Sequence, residues 1–255
     1  MPTDKQYTLP QILGIWAVVS VPMALLAWVI TPALIPLVKI SPGIIFWLMM
    51  ILGMFWQFLV AFFIVHHELG TLSWPALRNR TWLNLPRDPK SNTPRGRLFW
   101  WLLPIGILCI LFQMSGIGGY LDSPVVKLFP SLAAPAYTDI RGLASPEFTG
   151  QWWLVAVALV SAVLNYFLGE EFLFRGILLP KMQGVFGKWD WVANSILFGC
   201  YHLHKPWMIP SIAVYSLLII WPARYFRSNW MAIILHGVEG IFMLVIVVGT
   251  VLGLM

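Results

Sequence analysis

The chain is laid out in apolar runs. Several reach or exceed the roughly 20 residues that carry a helix across the hydrocarbon core of a bilayer. Residues 11–38 form the first and 44–66 the second. Backbone polar groups find no water in lipid, so such runs satisfy them internally as helices. Hydrophobic residues make up 59% of the 255, and charged residues only 10%, where soluble chains carry about a quarter. With a mean hydropathy of +0.80, the expected class is an all-α polytopic integral membrane protein forming a single bundle. Seven helices are expected, or eight if one is split or re-entrant.

Taken in order, residues 1–9 are polar. The run at 11–38 is too long for the core of a signal peptide and is kept as a helix, with Pro22, Pro32 and Pro36 expected to kink or end it. A second helix spans 44–66. Residues 67–97 form a loop with Arg78, Arg80, Arg87, Lys90, Arg95 and Arg97 against Glu68 and Asp88. Trp74, Leu77, Trp82 and Leu85 are spaced to lie along the membrane interface. Arginine-rich loops stay on the cytoplasmic side. His66-His67-Glu68 lacks the helical spacing of a zinc-protease motif and reads as a wet interfacial cluster.

Further helices are expected at 98–117, 151–179, 190–204, 207–223 and from 229 to the C-terminus. The loop at 118–150 carries Lys127 and Arg141 against Asp122, Asp139 and Glu147. Its weak bias suits the external side, whereas Lys181, Lys188, Arg224 and Arg227 mark cytoplasmic turns. The N-terminus is therefore expected inside and the C-terminus outside. One continuous membrane domain divides into N-terminal helices and loops at 1–149 and a core at 150–255. The net charge of +6 sits in loops, as topology requires, and does not point to nucleic acid. Cys109 and Cys200 lie far apart in apolar surroundings. They support neither a disulfide framework nor a cysteine zinc site, and buried apolar thiols are expected.

Gly169-Glu170-Glu171-Phe172-Leu173-Phe174-Arg175-Gly176 sets two carboxylates and a guanidinium inside an apolar helix. Charges at membrane depth are costly and by default mark a functional site facing the bundle interior. Glu171 and Arg175, four apart with the acid first, are placed to pair. Glu170 points about 100° away and is left for the lumen, where a desolvated carboxylate suits a general base. On these residues alone, a buried pair that only fixes packing and the coupling acid of a transporter stay open.

Asn194, Ser195 and His202 share one helical face, and His204, beside Lys205-Pro206, reads as interfacial. His236 has Glu239 three residues on, on the same side. Glu170 and His202 lie about 15 residues to either side of the turn near Gly184–Gly187. His236 lies nearer its own turn, so the three depths match only with tilt or a broken helix.

Glu170-Glu171-x-x-x-Arg175, Phe198-x-x-x-His202 and His236 are similar, in order and interval, to the motifs of the CAAX-protease and bacteriocin-processing (CPBP, or Abi) family of intramembrane proteases, which includes the type II CAAX prenyl endopeptidases. The resemblance covers roughly residues 150–255. It implies that Glu170 activates a water, that His202 helps hold and polarise it, and that His236 belongs to the oxyanion-stabilising group. The family's third motif reads His-x-x-x-Asn or Asp, whereas Gly240 stands here, with Glu239 one earlier. Glu239, Asn165 and Asn194 are the candidate replacements.

Glu170, His202 and His236 would satisfy the His₂Glu ligand count of a catalytic zinc site, while a metal-free mechanism needs a base, a water and oxyanion donors. The metal-free form is favoured. The expectation is a cytoplasm-facing endopeptidase in an inner or plasma membrane, acting on a membrane-anchored protein or peptide with lipid around it. A non-catalytic bacteriocin-immunity or scaffolding protein and a proton-coupled transporter are the alternatives. Gly249-x-x-x-Gly253 is a candidate for close helix contact, within the bundle or between copies.

Overall fold

A computed structural model describes residues 5–139 and 145–254; Arg141, counted above in the charge balance of its loop, lies outside them. The described residues are helical apart from turns and one isolated bridge between Arg87 and Pro94. Six helices are long and apolar enough to cross a membrane: α1 (Leu9–Leu34), α2 (Pro42–Leu69), α4 (Gly96–Met114), α6 (Trp153–Lys181), α8 (Pro206–Phe226) and α9 (Asn229–Val251). Shorter helices are α3 (Trp74–Arg80), α5 (Ile117–Leu128) and α7 (Asp190–Tyr201). The fifth expected crossing, 190–204, is thus a 12-residue helix that is not among the six. The loop expected over 118–150 includes α5.

The periodicity of an apolar helix does not report its pitch, and here the pitch widens to π in two crossings. In α1, Pro22 sits inside the helix, and a π-helical stretch follows at Leu26–Ile30. Proline lacks an N–H and crowds the preceding turn. The Thr31 hydroxyl donates to the Leu26 carbonyl at 2.7 Å where the wide turn closes. Helix α6 is α only over Trp153–Val163. It continues as π-helix over Leu164–Gly169 and Glu171–Leu178 before a final 3-10 turn. Such i→i+5 bonding is rare in long runs and is concentrated at functional sites.

Helix α6 is the centre of the bundle. On one side Leu173, Phe174, Ile177 and Leu178 pack with Ile12, Met23, Met54 and Phe198 of α1, α2 and α7. On another, Leu154 and Ala158 pack with Trp47, Val247 and Val251 of α2 and α9. Ile105, Tyr215, Ile219 and Leu235 join α4, α8 and α9. Large side chains such as Phe63, Leu103, Leu111, Ile241 and Phe242 face outward, as a lipid-facing surface requires. Trp16 and Trp28 of α1 donate their indole N–H to the Leu197 and Leu203 carbonyls, both at 2.8 Å.

The basic loop docks by backbone rather than by lying loosely at an interface. Asn229 N–H donates to the Trp82 carbonyl at 2.7 Å, Ser228 to Asn84 at 2.6 Å, and Arg87 N–H to Phe226 at 2.8 Å. Trp82 is held at a left-handed φ of 55° by this pairing. Glu68 is not part of a wet cluster: it pairs with Arg80 at 2.6 Å and accepts from Tyr7, while exposed His66 and His67 stack on Phe62 and Phe63. At the C-terminus α9 ends at Val251, so Gly249 and Gly253 do not form one helical face. Gly249 is buried, and Gly150 N–H donates to Val251 at 2.8 Å; the segment packs within the chain.

Candidate active site

The wide helix is tied down through its carbonyls. Asn229 Nδ2 donates to Glu171 O at 3.0 Å and Asn194 Nδ2 to Phe174 O at 2.9 Å. Arg80 reaches Gly176 O at 3.1 Å and Ile177 O at 3.2 Å. Buried backbone acceptors left without partners are costly, so these side chains stabilise the π form. A Cβ at Gly176 would lie 3.2 Å from both Asn229 Nδ2 and Thr81 Cβ, tighter than ordinary contact, so the glycine lets this carbonyl-tying layer approach closely.

Glu171 is fully buried. Its Oε2 lies 3.4 Å from Arg175 Nε, as the four-residue spacing predicts, and its Oε1 lies 2.8 Å from His236 Nδ1. The second contact was not legible in the sequence. Arg175, also fully buried, lies with its guanidinium carbon 3.8 Å from the centre of the Phe198 ring, an arrangement that ring quadrupoles favour. The guanidinium is therefore sealed below the site.

Glu170 turns the other way and lines a cavity of about 800 Å³. Its Oε1 is 3.9 Å from His202 Nε2, and its Oε2 is 3.9 Å from His236 Nε2. His236, expected nearer its own turn, meets Glu170 here; α6 is wound wide, and α7 stops at Tyr201, leaving His202 on its C-terminal cap. His202 Nδ1 lies 2.9 Å from the Phe198 carbonyl. A carbonyl only accepts, so Nδ1 carries the hydrogen and the neutral ring presents an Nε2 lone pair to the cavity. The Glu171 carboxylate holds His236 through its Nδ1, which orients that ring.

Asn165, with its amide nitrogen toward Glu170, donates to both carboxylate oxygens at 3.1 and 3.2 Å. Five residues separate the two, and π-helical winding brings them onto one face. Glu239 also lines the cavity, 3.8 Å from His236 Nε2 and accepting from Gln113 at 3.0 Å. Asn194 does not face the cavity: it is buried, with its amide spent on Phe174 O and the Met182 sulfur. Ser195, on the same stripe, donates to Ala213 O and pairs with Ser216; this stripe packs α7 on α8. His204 is buried beside His202, with ring centres 5.1 Å apart, rather than interfacial.

Several contributors carry little sequence signal. Tyr166, Lys205 and Asp122 line the cavity, and nothing in their spacing announces it. Gln57 is fully buried, and its polar side chain in the middle of an apolar span was a usable signal. Cys109 and Cys200 are both free. Among the described residues no group of three His, Cys, Asp or Glu side chains is arranged to hold a metal ion.

Residues 150–242 match the family model described as type II CAAX prenyl endopeptidase, Rce1-like. Comparisons with curated proteins and with solved structures find no match. The matched segment holds Glu170, His202 and His236 together with Asn165, Glu171, Arg175, Asn194 and Glu239. Over residues 150–242 this integral membrane protein carries the Rce1-like segment, consistent with the CAAX-protease and bacteriocin-processing family, and the match implies a peptidase.

Proposed function

We propose that the chain is an intramembrane endopeptidase that uses Glu170 to activate water against a peptide bond of a membrane-anchored protein or peptide. The observation that carries this reading is Glu170 on the cavity wall with an imidazole nitrogen 3.9 Å from each of its oxygens. That distance exceeds a direct hydrogen bond and suits one shared water molecule. Glu170 accepts the proton of that water, while the Nε2 lone pair of His202 orients it. Asn165 steadies the carboxylate, and the Glu171–His236 pair fixes the second ring. The cavity also presents Met23, Phe46, Met50 and Met54, an apolar wall for a lipid-like or hydrophobic substrate segment.

The reaction needs no metal in this reading; Glu170, His202 and His236 are the residues that would hold zinc if one binds. Activity that disappears with a chelator and returns with zinc would replace the metal-free form. The orientation proposed from the arginine-rich loop puts the N-terminus in the cytoplasm, in an inner or plasma membrane.

The test is a prenylated CAAX-type peptide carrying a fluorophore and quencher, assayed with purified protein in detergent beside Glu170→Gln. Cleavage by the wild type and none by the variant is expected. Equal activity of the two sinks the mechanism. Substrate flux in proteoliposomes without cleavage favours a transporter, and neither activity favours an immunity or scaffolding role.

A further inference from the structure

Hydrolysis of an amide needs a hydrogen-bond donor where negative charge develops on the carbonyl oxygen, and several polar side chains around Glu170 are already engaged elsewhere. His202 presents an Nε2 lone pair there, because its Nδ1 is engaged by the Phe198 carbonyl, and His236 is held through its Nδ1 by the Glu171 carboxylate. Asn165 is turned to Glu170, Asn194 to Phe174 O, and Arg175 is sealed beneath Phe198.

Gly240 offers no side chain, and the structure explains why. A Cβ at Gly240 would collide with the Tyr166 ring, meeting Cε2 closest, then Cδ2 at 2.8 Å and Cζ at 3.2 Å. The Tyr166 ring therefore fills the space a side chain at 240 would take. It stands edge-on to His236, with ring centres 4.9 Å apart, and lines the cavity with Glu170 and Glu239. Its chain neighbour Asn165 donates its amide to both Glu170 oxygens. Four residues before Glu170 in a π-wound stretch, Tyr166 shares the Glu170 face of α6.

We infer that Tyr166 is a further catalytic residue, whose phenolic O–H donates to the carbonyl oxygen of the scissile bond in space cleared by Gly240. The inference rests on the proteolytic reading above. As Glu170 takes a proton from water, the water oxygen bonds to the carbonyl carbon and the C=O π pair moves onto oxygen. Tyr166 hydrogen-bonds to that oxygen and keeps its own proton. Collapse re-forms C=O and breaks C–N, and the amine leaves with the proton held by Glu170.

The experiment uses the full chain and the same prenylated CAAX-type peptide. Tyr166→Phe keeps the ring against Gly240 and His236 and removes only the donor. Its kcat is expected to fall about 10²- to 10³-fold, as on loss of one oxyanion donor, with KM and Tm unchanged. Gly240→Ala displaces the ring and lowers both kcat and Tm. Tyr166→Ala combined with Gly240→Asn puts an amide donor into the vacated space and recovers kcat relative to Tyr166→Ala with Gly240→Ala. A Glu170-dependent cut with wild-type kcat in Tyr166→Phe overturns the assignment and leaves proteolysis standing. A cut that survives Glu170→Gln, or no cut by the wild type, overturns the proteolytic reading and this inference with it.

Discussion

Glu170 and Glu171 are consecutive on helix α6, yet one lines a cavity with its nearest imidazole nitrogens 3.9 Å away, and the other is fully buried with His236 at 2.8 Å and Arg175 at 3.4 Å. The open face keeps a carboxylate that Asn165 steadies and whose imidazole neighbours stop short of direct contact, leaving room for chemistry. The packed face commits its carboxylate to a cation and a ring, leaving none. A buried charge pair contributes little net stability, but losing one partner strands the other. The two glutamates should therefore fail in different ways when changed.

The largest effect is expected on the open face. Glu170→Gln should lower peptide cleavage by about 10²- to 10⁴-fold, the range of a lost general base, with the Tm unmoved. A large fall in Tm would mean that the two faces are not functionally separate. On the packed face, Arg175→Met should cost about 3–5 kcal/mol by leaving Glu171 without its cation, read as loss of folded protein in denaturant titration. Arg175→Met with Glu171→Leu should recover part of that, since removing both charges is far less damaging than removing one.

Asn194→Ala sharpens the comparison at the level of the helix backbone. It leaves Phe174 O without its donor and should cost about 1–3 kcal/mol, again in stability and with KM unchanged. A change in KM without loss of stability would put Asn194 back at the cavity. The smallest effect is expected far from either face. Asp88 accepts the N–H groups of Ser91 and Lys90, both at 3.0 Å, which hold its carboxyl below the usual carboxylate range. A carboxyl depressed in the folded state contributes stability above its unfolded pKa of about 4 and loses it as the pH falls further. Hydrogen exchange at Lys90 and Ser91 should accelerate below that pH relative to the intrinsic rate, while cleavage at neutral pH in Asp88→Ala matches the wild type.

The membrane class, the all-helical architecture and the pairing of Glu171 with Arg175 were legible in the sequence. Apolar run length and four-residue spacing are local quantities that survive whatever the helices do afterwards. Pitch is not local in that sense. Nothing in Leu164–Leu178 announces a π-helix, because the wide winding is held by Arg80, Asn194 and Asn229, which lie 20 or more residues away from the carbonyls they reach. The same holds for the depth of the histidines. Treated as uniform crossings, α6 and α7 set Glu170 and His202 at comparable depths but left His236 of α9 nearer its own turn; in the folded chain His236 meets both Glu170 and Glu171.

Sequence alone thus determined which residue types sit at membrane depth, since burying a charge in an apolar run is costly enough to single out Glu170, Glu171 and Arg175 wherever they fold. Only the tertiary structure decided that His236 leans on Glu171, that Asn194 is spent on packing, and that Tyr166 occupies the space beside Gly240. Each of those is a contact between helices, set by winding and close approach rather than by the order of residues along any one of them.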